Sequence, residues 1–282
     1  MTIKLHKLEA PKHFEAQQGR FSRLMQQAEA LLLQGKGDRQ ACVRTLCEYS
    51  IDIACILLIL GKPDDEVRNH VSDATRYALD WLHAPGSVGG PRVYEVNTEV
   101  SEEGVRVTST HEKPPSRQPS KLPIDGFGKI LSLTVAFNDR SYWSELGRFS
   151  EGGYRNPDEV AGAEYFGYLR ALKAYIRGDE SDAKREGLAA LVGYEDTSYA
   201  KPGVLAFLAL VNGDAVAFQK NIEARLVTHR KQYQKTPNDP MGIMCLHCMM
   251  LCRLALDRGI SVEEGPYLPL RFLPNYPSVA KA

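Results

Sequence analysis

A surplus of charge of either sign is missing from this 282-residue sequence: Lys plus Arg and Asp plus Glu number 35 each. Nothing resembles the basic excess with which nucleic-acid binders hold phosphates, so the composition gives no support to direct nucleic-acid binding. A long apolar run is missing as well. The most apolar stretch, Ile51–Leu60 (IDIACILLIL), contains Asp52 and falls far short of the ~20 residues a membrane span needs. It reads as a buried core helix. The N-terminal MTIKLHKLEAPKHFEAQQG has no apolar signal region and no small-residue cleavage site, so the expected location is the cytoplasm.

Motifs that carry chemistry are also scarce. Gly35-Lys-Gly-Asp is too short for a phosphate-cradling loop, and no strand precedes it. There is neither a Gly-x-Ser-x-Gly elbow nor a His-Glu-x-x-His pair. The seven histidines (6, 13, 70, 83, 111, 229, 247) are scattered, and His229, beside Arg230, reads as a solvated helix residue. Six cysteines form two groups, Cys42, Cys47, Cys55 and Cys245, Cys248, Cys252. The second group, in CLHCMMLC with His247, has the look of a metal motif. On a helix, however, its spacing of i, i+3 and i+7 makes one apolar stripe with Leu251 and Leu256, and buried free Cys behaves as a small hydrophobe. Core cysteines are therefore the favoured reading over a metal site or disulfides, and no cofactor is expected. The paired carboxylates Asp64/Asp65 and Asp158/Glu159 sit where helices start and read as caps.

What the chain does contain is a repeat. Leu131–Phe149, Leu172–Leu191 and Leu208–Leu226 each run from an apolar helical segment through a turn carrying Asp into a second helical segment. The turn residues are Asp139, Asp179 and Asp214, 40 and 35 residues apart. Asn or Gly is expected to supply the left-handed residue that ends one helix, and Asp to cap the next. Such a period marks stacked helix hairpins, each burying its apolar face on its neighbour. The fold class is thus mainly α: a repeat-like array of stacked antiparallel helix hairpins with one small β-hairpin insertion.

Three parts follow, although one continuous domain 1–282 is equally compatible with the length. Residues 1–90 form an N-terminal helical part: a helix from Pro11 to Gly35 with Phe21, Leu24, Met25, Ala28 and Leu31 on one face, a central helix capped by Asp38, and a third from Asp64 to His83 lined by Val67, Val71, Ala74, Ala78 and Trp81. Residues 91–123 hold alternating VYEVNTEV and VRVTST around SEEG, a β-hairpin signal, and then the Pro-rich linker KPPSRQPSKLP. Residues 124–282 form the C-terminal array, with helices at Ile124–Phe137, Arg140–Phe149, Asp158–Arg177, Glu180–Val192, Pro202–Val211, Ala215–Gln234 and Asp239–Arg258. Gly259 stops the last of these, and a proline-rich tail is expected to run extended across the surface. Tyr154 and Arg155 (EGGYRNPD) and Tyr194 and Tyr199 (GYEDTSYAKPG) fall in loops. Tyr and Arg there suit a protein interface, with packing between helices as the alternative use.

The order of these features resembles the immunity protein 49 family of bacterial polymorphic-toxin systems. The resemblance rests on AFNDRSYWSEL, YFGYLRALKAYIRGD, LALVNGDAVAFQKNIEARLVTHRKQY and, most specifically, the closing LALDRGISVEEGPYLP, with ACVRTLCEYSIDIACILLIL matching an early apolar helix. It covers roughly residues 38–60 and 125–270. It implies an antidote in interbacterial competition that binds and neutralises a cognate secreted toxin, with no catalysis. The toxin's chemistry stays open among a nuclease, a deaminase and other toxic domains, and the oligomeric state stays open too. Asp179, Asp214, Phe218, Gly259, Tyr267 and Pro269 are, on this resemblance, architecture: caps, a helix stop and a docked tail. A tetratricopeptide-like scaffold for peptides is the alternative, although the regular Trp–Gly–Tyr pattern of that motif is absent. An α-helical enzyme whose site one sequence hides is a third.

Overall fold

The computed structural model describes residues 3–84, 92–100, 106–113, 122–138, 140–149, 162–274 and 276–277. It is mainly helical. Helices α1 (Pro11–Leu33), α2 (Arg39–Ile59) and α3 (Asp64–His83) fold back on one another. The backbones of β1 (Arg92–Val100) and β2 (Arg106–Lys113) run antiparallel, with Tyr94 opposite His111. Next come α4 (Ile124–Phe137), α5 (Trp143–Arg148), α6 (Ala163–Ile176), α7 (Glu180–Gly193), α8 (Lys201–Val211), α9 (Ala215–Tyr233) and α10 (Leu246–Asp257). The pairs α6–α7 and α8–α9 are hairpins, and α4 packs on both α3 and α10.

The repeat has a local physical cause. At Gly178 and Gly213 the chain turns left-handed, with φ of 86° and 71°. The next N–H then reaches back five residues: Asp179 N–H donates to the Ala174 carbonyl at 3.0 Å, and Asp214 N–H to the Ala209 carbonyl at 2.9 Å. That is the Schellman closure of one helix. The same aspartate opens the next helix, Asp179 accepting from Asp182 N–H and Asp214 from Ala217 N–H, each at 2.9 Å. One Gly-Asp pair thus ends one helix and starts another, leaving no slack between antiparallel partners. The first repeat departs from this pattern. Asn138 is extended (φ −102°) where a left-handed residue was expected, and α4 simply stops there. Asp139 lies outside the described residues, as does Asp158.

The core joins all the helical segments. α2 and α4 are apolar nearly all round and are buried accordingly, as are the five inner residues expected on α3. Each large aliphatic or aromatic side chain among them contributes about 1.5–3 kcal/mol on leaving water. On α1 the expected face is only partly used: Phe14 and Ala28 are buried, Phe21 and Met25 pack at the margin, and Leu31 is 40% exposed. Pro63, not an aspartate, is the N-cap of α3, and the Asp64 carboxylate instead meets Arg271 at 3.0 Å. The helix expected from Asp239 begins at Leu246, because Asp239 caps a short 3-10 turn, Pro240–Ile243, whose Pro and Gly do not extend into an α-helix.

The tail is not laid on the surface. Gly259 (φ 75°) closes α10 through a 2.9 Å bond from Ile260 N–H to the Ala255 carbonyl, and the chain then dives inward. Tyr267, Leu268, Pro269, Leu270, Phe272 and Leu273 are all buried, because large apolar side chains outweigh the prolines between them. Tyr267 is the knot. Its φ is +70°, rare for a bulky residue, yet its carbonyl accepts from Cys245 N–H at 2.9 Å. Its hydroxyl accepts from His6 N–H at 2.8 Å and donates to the Lys4 carbonyl at 3.3 Å. Residues 4–6 and the tail segment around 267 are therefore fastened together at one side chain.

Candidate functional site

Helical spacing gathers one set of polar side chains. Tyr165 and Tyr168 lie three apart on α6, Gly128 and Ser132 four apart on α4, and Arg225 and Tyr233 eight apart on α9, so each pair shares a face. Those faces converge on a cleft of about 280 Å³, closed by Tyr199 and Ala200 ahead of α8 and by Leu246 and His247 at the start of α10. Two glycines keep it open. A Cβ on Gly128 would stand 2.0 Å from the Tyr165 hydroxyl, and one on Gly203 would stand 2.4 Å from His247 Cε1.

Arg225 is the dominant charge. It is 8% exposed, with Nη1 donating to Thr228 Oγ1 at 3.2 Å and its guanidinium 4.9 Å from the Tyr199 ring centroid. The electrostatic neighbours of this cation are the thiols of Cys245 and Cys248 and the phenols of Tyr199 and Tyr168. No carboxylate pairs with it among the described residues. Burial, reinforced by Arg225, pushes His247 down to about 4, so that ring is uncharged at neutral pH. His247 Nε2 lies 2.6 Å from the Tyr168 hydroxyl, whose pKa burial raises well above the ordinary phenol value. Lys129, also in the wall, is already paired with Glu48 at 3.2 Å.

The cysteine stripe lies behind this cleft. Cys245 stands just before the first turn of α10, and Cys248 and Cys252 follow on its buried face. All six cysteines are free and buried. A hydrogen bond from Cys248, aided by Arg225 and His229, holds the Cys245 thiol well below its usual range, while burial drives Cys248 well above it. Among the described residues no group of three or more His, Cys, Asp or Glu side chains could hold a metal ion, and no helix is long and apolar enough to cross a membrane. His229 is not solvated: it is 4% exposed, with Nε2 3.3 Å from the Gly242 carbonyl and its ring against Tyr267. The tail covers what sequence periodicity would leave as an outer face.

Of the loop residues singled out for contact, Tyr154 and Arg155 lie outside the described residues. Tyr194 is buried at the end of α7, its backbone carbonyl accepting from Lys201 Nζ at 3.2 Å. Tyr199 is 55% exposed and forms the rim of the cleft. Arg225, Tyr165, Tyr233 and His247 were not singled out together. They come from three helices, and the spacing within any one helix could not show that they meet. On the surface, α7 shows how charge is matched. On α7, Glu180 meets Arg258, Asp182 meets Arg185, and Glu186 meets Arg170 at 3.4 Å.

These features define a class: a helical-hairpin array whose open chemistry is an aromatic, cation-bearing cleft. The family model described as Immunity protein 49 matches residues 65–272. The match covers well over half of the chain, and the chain belongs to that family. No curated protein and no solved structure matches it.

Proposed function

We propose that this protein is an immunity protein: it neutralises a cognate secreted bacterial toxin by binding it directly, in the cytoplasm, without catalysis or cofactor, and serves in competition between bacteria. The observation that carries the reading is the family match over residues 65–272. The architecture supports it. The turn aspartates Asp179 and Asp214 are used up in capping helices, and the cysteines are buried. The exposed ring of Tyr199 over Arg225 is the kind of anchor that interfaces concentrate their energy in. The contact surface, on this proposal, centres on Tyr199 and the loop leading into α8, with Tyr154 and Arg155 as further contributors. The helical parts act as one unit carrying the residue 91–123 insertion as a β-hairpin flap.

A specific, stable complex buries about 800 Å² per partner, with affinity in the nanomolar range or tighter. The toxin is a nuclease, a deaminase or another toxic domain. The α7 carboxylates are each matched to an arginine, so this face offers no free acidic strip to a basic nuclease cleft. The test is co-expression: the toxin encoded beside this chain should kill cells alone and spare them when this chain is present. Equal killing in both cases contradicts the reading.

A further inference from the structure

A cation buried without a matching carboxylate needs an explanation. Removing a guanidinium from water is costly unless it is paired, and proteins ordinarily leave such a group beside a carboxylate. Arg225 has Thr228 Oγ1 on Nη1 and the Tyr199 ring on its flat side. The Cys245 thiol, held toward its anion, lies behind it and does not line the cleft. On the cleft side its remaining N–H groups have no acceptor among the described residues. Around the same space stand Tyr165, Tyr199 and Tyr233, whose hydroxyls make no hydrogen bond with any described residue. The cleft therefore presents a planar fork of donors and three O–H donors, and no carboxylate lines it. Carboxylates stand only outside that lining: Glu48 is tied to Lys129 at 3.2 Å, Asp239 caps the turn before α10, Asp52 lies near both, and Asp125 acts on Tyr165 from the start of α4.

We propose that this cleft receives a carboxylate, the side chain of an Asp or Glu presented by the bound protein, with Arg225 as its counter-ion and the Tyr165, Tyr199 and Tyr233 hydroxyls as supporting donors. A guanidinium fork matches a carboxylate in two parallel hydrogen bonds, and the charge-assisted pair gains strength in a site screened from water. A volume of about 280 Å³ admits one side chain and excludes a folded segment. Gly128 and Gly203 keep the space from being filled by the protein itself. The identity of the donor as a protein side chain rests on the immunity reading above. The carboxylate site itself does not.

The test uses the full chain and two peptides, acetyl-Gly-Glu-Gly-amide and its Gln counterpart, in an NMR titration that follows Arg225, Tyr199 and His247. The Glu peptide should shift these resonances to saturation and the Gln peptide should not. Arg225→Gln should weaken the response about tenfold or more, and Arg225→Lys should restore it in part. Should Arg225→Gln fail to fold, Tyr199→Phe combined with Tyr233→Phe carries the test, since both rings remain while two donors are lost. Equal response to the two peptides overturns the site. So does saturation by inorganic phosphate with no response to the Glu peptide. Co-expression separates the two readings. Protection without a Glu-peptide response ends the site and leaves immunity standing. A Glu-peptide response without protection does the reverse.

Discussion

Substituting Asp52 by Asn should make this protein more stable at pH 8 and leave it unchanged near pH 3. Asp52 sits on α2 in the otherwise apolar stretch, and burial pushes its carboxyl up from 3.8 to about 7. Lys129 opposes the shift, while Asp239 and Glu48 add to it. The unfolded chain therefore releases this proton near pH 4 and the folded chain near pH 7. Between those values the folded state binds more protons, so stability falls as pH rises, and the penalty is complete above about pH 7. A shift of about three units corresponds to ~4 kcal/mol, and partial exposure of the carboxyl to water brings the expectation to about 2 kcal/mol. Asparagine keeps the shape and has no charge to bury. Urea unfolding of both proteins from pH 3 to pH 8 measures the effect. The difference should grow from near zero to about 2 kcal/mol, or a few degrees in Tm. A variant that is less stable at pH 8, or a difference that ignores pH, refutes the reasoning.

Other perturbations separate scaffold from surface. Asp214→Ala removes the bond to Ala217 N–H and should cost about 0.5–2 kcal/mol in urea unfolding without changing protection against the toxin. Tyr267→Phe deletes the hydroxyl held between His6 and Lys4, and should cost about 1–2 kcal/mol while raising hydrogen exchange at the His6 amide. Gly203→Ala drives a methyl against the His247 ring and should cost about 1–3 kcal/mol in the same assay. Tyr199→Ala should leave the thermal midpoint nearly unchanged and weaken toxin binding by about 2 kcal/mol, read by calorimetry.

Much of the helical framework is legible in the sequence because its signals are local. Gly-Asp at 178–179 and at 213–214 marks two helix boundaries through a left-handed turn and a cap that depend on neighbouring residues alone. The inner face of α3 follows from periodicity, since Val67 through Trp81 have one side to bury. What escapes is what depends on distant segments. His229 looks solvated until the tail folds over it, and the tail looks like surface until Tyr267 is seen bonded to His6. Tyr194 falls in a loop by sequence and is nonetheless buried, because Lys201 fastens that loop down. The cleft is the extreme case. Arg225, Tyr165 and His247 belong to three helices, and each alone reads as an ordinary helical residue.

The central claim is that this molecule acts by occupying a partner's surface, and calorimetric titration of the purified chain with the toxin domain encoded beside its gene tests it most directly. The account predicts one-to-one binding with nanomolar or tighter Kd, at least about tenfold weaker for Tyr199→Ala. No heat of binding, or a toxin chemically altered by substoichiometric amounts of this chain, would contradict it.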